Sequence, residues 1–154
     1  MDCPRCERST LMTEMHFEIE VDICSNCHGL WLDYHEMDQL EDQAFDQDDM
    51  KGTMVYAKRD SDISCPKCRH LMNTFNYRAY DLAIDFCDNG HGFWLDHGEE
   101  KRVLELMQKR VKDLKRSVSA ENEWTNFLKG ITSRRGSGSK SVFKRMKGWF
   151  GSKN

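Results

Sequence analysis

The chain has 154 residues, 38% hydrophobic and 32% charged, so any fold it forms has little apolar material for a core and needs a staple beyond packing. Its seven cysteines, an odd number, fit a closed disulfide framework poorly. No apolar run approaches the roughly eighteen residues of a membrane-spanning helix, and the net charge of −3 hides a split: Trp124 to Asn154 carry +8 with no Asp or Glu, leaving −11 on the residues before them.

The first ten residues, MDCPRCERST, contain no apolar stretch. No secretory leader is therefore expected, and the reduced thiols of a cytoplasmic protein are. The sequence then repeats once. Cys3-Pro4-Arg5-Cys6 returns as Cys65-Pro66-Lys67-Cys68, and His28-Gly29-Leu30-Trp31-Leu32-Asp33 returns as His91-Gly92-Phe93-Trp94-Leu95-Asp96. The offset grows from 62 to 63 between these motifs, so the two are tandem modules, residues 1–44 and 62–100.

In the first module Met15, Phe17, Ile19, Val21 and Ile23 alternate with polar residues, the period of a half-buried strand. In the second, Phe75, Tyr77 and Ala79 keep one phase and Tyr80, Leu82, Ile84 and Phe86 the other, a slip that one inserted residue in a turn or bulge produces. Each module reads as a β-hairpin followed by a short third strand, Leu30–Leu32 or Phe93–Leu95. Asp33-x-x-Glu36 and Asp96-x-x-Glu99 are capping boxes that open helices. The first helix is short, about Tyr34 to Ala44, and residues 45–61 read as a linker.

The second helix is long, about His97 to Lys129, and residues 101–129 stand apart as a helical segment. Leu104, Met107, Val111, Leu114 and Val118 make a seam of three- and four-residue steps. That seam either folds back on its own module or pairs two chains into a homodimer. Residues 130–141 (GITSRRGSGSKS from Gly130) are a flexible linker by composition. In 142–150, Val142, Phe143, Met146, Trp149 and Phe150 share one helical face while Lys144, Arg145 and Lys147 share another. This is a basic amphipathic tail, suited to an anionic membrane surface or a protein groove. It is similar to the C-terminal membrane-targeting tail of the actin-like bacterial division protein.

The cysteines carry the chemistry. Cys3-x2-Cys6-x17-Cys24-x2-Cys27 supplies four thiolates from two tight turns, and the spacer allows a hairpin to bring them together on one zinc ion. Paired disulfides and an iron site are the alternatives. The second set is Cys65, Cys68 and Cys87, with Gly90 where Cys27 stood and His91 directly after it. His91 completes a Cys3His set; the other reading leaves three ligands and an open position, with His70 and His97 as weaker substitutes. Two zinc ions are thus expected.

The pattern CPxC, hairpin, CxxCxGxWLDxxEL resembles the bacterial zinc ribbons of the transcription factor IIB type. Residues Cys3 to Leu40 and Cys65 to about Leu104 match it, with Glu7 and His28 where the family often has glycine. The resemblance implies zinc ribbons and no single activity. The fold class expected is a small metal-stabilised α+β protein: two zinc ribbons, each a β-hairpin with a short strand and a helix, then a long C-terminal helix and the basic tail. Trp31 and Trp94 read as core residues over the thiolates, a docking face being the other reading.

Nothing in the sequence supplies a catalytic set. His16-Phe17-Glu18 before Cys24 is only superficially like a deaminase motif, and four protein ligands leave no place for an activated water. A non-enzymatic zinc adaptor is therefore expected, docking a protein partner and meeting the inner face of a membrane through its tail. The alternative is a protein that binds nucleic acid or the transcription machinery.

Overall fold

The computed structural model describes the backbone of residues 1–146 and the side chains of residues 1–131. Two units divide the chain, Met1–Val111 and Lys112–Asn154. In the first, strands β1 (Leu11–His16), β2 (Ile19–Cys24) and β3 (Leu30–Leu32) precede helix α1 (Tyr34–Asp42) and a single turn, α2 (Asp48–Lys51). Strands β4 (Val55–Ser64), β5 (Leu71–Tyr77), β6 (Ala83–Phe86) and β7 (Phe93–Leu95) follow. Helix α3 (Glu99–Met146) begins in this unit and supplies all the described structure of the second.

The two modules are not separate beads. Their seven strands form one antiparallel sheet in the order β1-β2-β3-β7-β6-β5-β4. The seam is the third strand of each module, with Leu30 opposite Leu95, Trp31 opposite Trp94 and Leu32 opposite Phe93. Two three-residue strands are marginal alone, and joining them hides both from solvent. Glycine permits the approach: a Cβ on Gly29 would sit 2.2 Å from the Trp94 ring, and one on Gly92 would sit 2.3 Å from the Leu32 carbonyl oxygen.

Because side chains alternate across a sheet, the seam feeds two cores. Trp31 and Trp94 join the cysteines, Leu11, Ile63 and Met72 on one side. Leu30, Leu32, Phe93 and Leu95 join Val21, Phe75, Tyr77, Ile84, and the helix residues Met37, Leu40, Val103 and Met107 on the other. Both tryptophans are about 1% exposed or less, which fits the core reading and removes the docking one. Met107 is fully buried and Leu104 is packed against the same core. The early part of the expected dimer seam (Leu104 to Val118) is therefore spent inside the first unit, because its apolar face has a sheet to cover.

Several expectations need correction. Residues 45–61 are not a plain linker: they hold α2 and most of β4. Strand β4 lacks clean alternation because its pairing with β5 shifts register twice, between Tyr56 and Arg59 and between Asp60 and Ser64. Met15 is 67% exposed and does not share a face with Ile19. The hairpin turn is Phe17-Glu18, both left-handed (φ 52° and 62°), so His16 lies opposite Ile19 and Met15 opposite Glu20. In the second module the turn runs from Arg78 to Asp81, which accounts for the phase slip, and Ala79 lies in that turn rather than in a strand. Helix α3 begins at Glu99 and its backbone stays helical through residues 130–141 to Met146. A glycine costs an established helix only about 1 kcal/mol, so composition alone does not end it. The tail side chains Val142, Phe143, Lys144, Arg145, Met146, Lys147, Trp149 and Phe150 lie outside the described residues.

A buried ionic group locks the first module to the second. Glu41, at the end of α1, receives bonds from Arg78 Nη2 (2.6 Å), Arg78 Nε (3.1 Å) and the Tyr77 hydroxyl (2.5 Å). Arg78 Nη1 also donates to the carbonyls of Lys51 (2.6 Å) and Gly52 (2.7 Å), so the charge is hydrogen-bonded on several sides.

Candidate metal centres

Each centre is built from two knuckles, one before β1 or β5 and one between the second and third strands of the module. In the first knuckle the Cys6 amide donates to Cys3 Sγ at 3.3 Å. In the second, the Cys24 amide donates to the Gly29 carbonyl and the His28 amide to the Cys24 carbonyl. The hairpin then folds the knuckles together, as Leu11 stands directly opposite Cys24.

Two ligand groups result, Cys3, Cys6, Cys24 and Cys27, and Cys65, Cys68, Cys87 and His91. Within each, all donor atoms lie within 4.8 Å of one another. Cys3 and Cys27 sulfurs are 3.7 Å apart, and those of Cys68 and Cys87 are 3.6 Å apart. A disulfide would need about 2.05 Å. Four sulfurs set tetrahedrally at about 2.3 Å from zinc lie about 3.8 Å apart. His91 Nδ1 is 3.7 Å from Cys65 Sγ and 3.5 Å from Cys87 Sγ, against about 3.6 Å for a tetrahedral Zn–S and Zn–N pair. The donors fit two zinc ions, and binding them is folding energy, about 10–16 kcal/mol for a structural site at neutral pH.

His91 and His28 occupy equivalent positions but behave differently, for a local backbone reason. His28 takes the left-handed conformation itself (φ 57°), while in the second module that role passes one residue back, to Gly90 (φ 75°). Glycine adopts it without steric cost. The Gly90 amide closes the turn on the Cys87 carbonyl, and His91 turns toward the thiolates. His28 packs instead against His97 with ring centroids 5.6 Å apart. Neither His70 nor His97 belongs to the ligand group.

The surroundings favour thiolate at Cys24 and Cys68 and, through burial, oppose it at Cys3, Cys27 and Cys65. Asn26 Nδ2 donates to Cys6 Sγ at 3.2 Å, and Asn89 Nδ2 to Cys68 Sγ at 3.5 Å. The His70 amide and then Asn89 hold the Cys68 thiol down to about 5. Burial raises Cys24, but amides of Cys27 and Asn26 outweigh it and bring the thiol to about 7. Burial pushes Cys65 up to about 11, so it ionises only with a cation beside it.

A residue that spacing did not single out ties the first knuckle to the opposite module. Arg5, inside the first, makes two bonds to Asp96 (3.1 and 3.0 Å), one to Asp62 (3.0 Å) and one to Asp85 (3.3 Å). Asp96 also accepts from Trp94 Nε1 at 2.8 Å, and its own amide donates to Glu99. Lys67, in the equivalent place, adds its charge to the field around Glu36, with Asp33 and Asp22. Aligning Asp22 with Asp85 and Asn26 with Asn89 would have exposed this from the repeat alone. A third group, Asp38, Asp42 and Asp48, already holds a cation: Lys51 Nζ lies 2.7, 2.6 and 2.7 Å from the three.

A model of the transcription factor zinc-finger family matches residues 2–43 and 64–106. No curated protein and no solved structure matches the chain. The two matched stretches take in more than half of the residues and both ligand groups, and the chain belongs to the transcription factor zinc-finger family, as two fused zinc ribbons of the transcription factor IIB type.

Proposed function

We propose that this protein is a non-enzymatic adaptor that presents a zinc-stabilised sheet to a protein partner and reaches an anionic membrane surface through its basic tail. The observation that carries the reading is the closure of both metal centres. Each has four protein donors within a sphere that fits one ion, which leaves no ligand position for a substrate or an activated water. In this reading the protein is cytoplasmic and peripheral at the inner face of the membrane. No described helix is long and apolar enough to cross a membrane. Liposome flotation of the full chain and of a form lacking residues 140–154 tests the membrane part: flotation of the full chain alone is expected, and equal behaviour of both forms refutes it.

A second reading, binding to nucleic acid or the transcription machinery, is favoured by the family itself and by the +8 of the last residues. Against it, the −11 carried by the rest of the chain repels a phosphate backbone. Titration with duplex DNA and single-stranded RNA at two salt concentrations separates the readings. Affinity that falls steeply with salt, and disappears on neutralising Arg134, Arg135 and the tail lysines, favours the second.

A further inference from the structure

The internal repeat exposes a difference between its two halves. Thr13 donates through its hydroxyl to Asp22 at 2.8 Å, and Thr74 donates to Asp85 in the same way. These bonds superimpose β1 on β5, with Leu11 on Met72, Thr13 on Thr74 and Met15 on Asn76. On β5 the outward edge is covered by β4, whose Arg59 stands opposite Thr74 and Tyr56 opposite Asn76. Among the described residues the edge of β1 has no such strand; it is the end of the sheet. The Leu11 amide is taken by the Met1 carbonyl (2.7 Å), and Asp2 bridges Thr10. By alternation, the amides and carbonyls of Thr13 and Met15 point the same way as that of Leu11, out of the sheet. The residues report the difference: Thr74 and Asn76 are half-buried, Thr13 and Met15 exposed.

The free edges are also unequally guarded. Strand β4 carries two register shifts, a left-handed Ala57 (φ 49°) and the cations Lys58 and Arg59, all devices that discourage strand addition. Strand β1 is regular over its six residues, has no Pro or Lys, and exposes Met12 (49%) and Met15 (67%). Glu14, Glu18 and Glu20 surround it, exposed and without an ion pair among the described residues. We propose that the outer edge of β1 is the docking strand for an extended, Lys/Arg-bearing peptide of a protein partner, added antiparallel as β4 is added to β5. Main-chain groups of Thr13 and Met15 supply the hydrogen bonds, Met12 and Met15 the apolar contacts, and the glutamates the preference for basic sequence. A second copy is a poorer occupant. An antiparallel pair of β1 strands that joins Thr13 to Met15 sets Glu14 against Glu14, a like-charge pair.

This inference rests on the adaptor reading, and its test is independent of it. Zinc-loaded, nitrogen-15-labelled full chain is titrated with the capped peptide TKVRVKT and its acidic counterpart TEVEVET, reading amide shifts and hydrogen exchange. Expected are shifts and slowed exchange centred on Thr13 and Met15 with the basic peptide, with affinity about tenfold weaker for the acidic one. Met15→Pro should abolish the effect by removing a donor and blocking strand addition. Glu14→Lys with Glu20→Lys, which leaves the backbone intact, should reverse the peptide preference. Changes confined to other residues, equal binding of both peptides, or protection of Thr13 and Met15 that rises with protein concentration alone each overturn the proposal. The adaptor reading fails separately, if neither the full chain nor the Met15→Pro form retains any partner from the native host.

Discussion

Replacing Glu41 by alanine tests whether the two ribbons are one cooperative body. The carboxylate is 1% exposed and takes two guanidinium bonds and a phenolic one. Its removal leaves the Arg78 charge buried without a counter-charge of its own, bonded to the carbonyls of Lys51 and Gly52 and the Tyr77 hydroxyl. Breaking a buried pair on one side costs about 3–5 kcal/mol, a large part of the roughly 5–15 kcal/mol that holds a domain of this kind together. Arg78→Met should cost a similar amount. The double variant, which buries no orphan charge, should cost less than the two added together, by about 2 kcal/mol or more. Urea unfolding by circular dichroism in zinc-buffered solution reads these differences. Because the pair joins α1 of one ribbon to the hairpin turn of the other, the native chain should release both metal ions to a chelator in a single phase and the Glu41→Ala chain in two. Costs below about 1 kcal/mol, or strict additivity, would refute the claim that this group locks the modules.

Gly29→Ala drives a methyl into the Trp94 ring and should cost about 1–3 kcal/mol, with faster amide exchange along Leu30–Leu32 as the local sign. His91→Ala should lower bound zinc from two ions to one in native mass spectrometry, whereas His28→Ala should leave both; the reverse result would misplace the fourth ligand. Burial, then the charges of Asp96 and Asp85, raise the Glu99 carboxyl to about 7 against the pull of the Asp96 amide and Arg5. The folded state thus holds this proton more tightly than the unfolded chain. The Glu99 contribution to stability is full below about pH 4.5 and declines as pH rises toward 7. Carbon-13 titration of the Glu99 carboxyl should show a midpoint near 7, and a midpoint at the ordinary carboxylate value would exclude the effect. Glu99→Gln should flatten that part of the pH profile.

The metal ligands, the capping box at Asp33 and the third strands were legible as sequence, because each depends on residues only a few positions apart. The box expected at Asp96 is half made, its amide donating to Glu99 while its carboxylate takes Trp94 and Arg5. The spacing Cys3-x2-Cys6 defines a knuckle whatever surrounds it, and Asp33 caps a helix through an amide three residues on, at 2.9 Å. The hairpins were legible to within a turn, since a period of two survives until a left-handed pair such as Phe17-Glu18 resets it. His91 as fourth ligand depends on more than spacing, because the left-handed backbone at Gly90 is what turns it toward the thiolates.

Tertiary structure alone decided that the ribbons share one sheet, that β4 closes its far edge and that Glu41 meets Arg78. A strand of three residues carries no mark of which strand it will join, and the groups that satisfy β4 lie on β5, past a knuckle and a change of register. Glu41 and Arg78 are 37 positions apart, and each alone reads as an ordinary surface charge. Local chemistry therefore chose the modules, while burial of groups distant in sequence chose how they were joined.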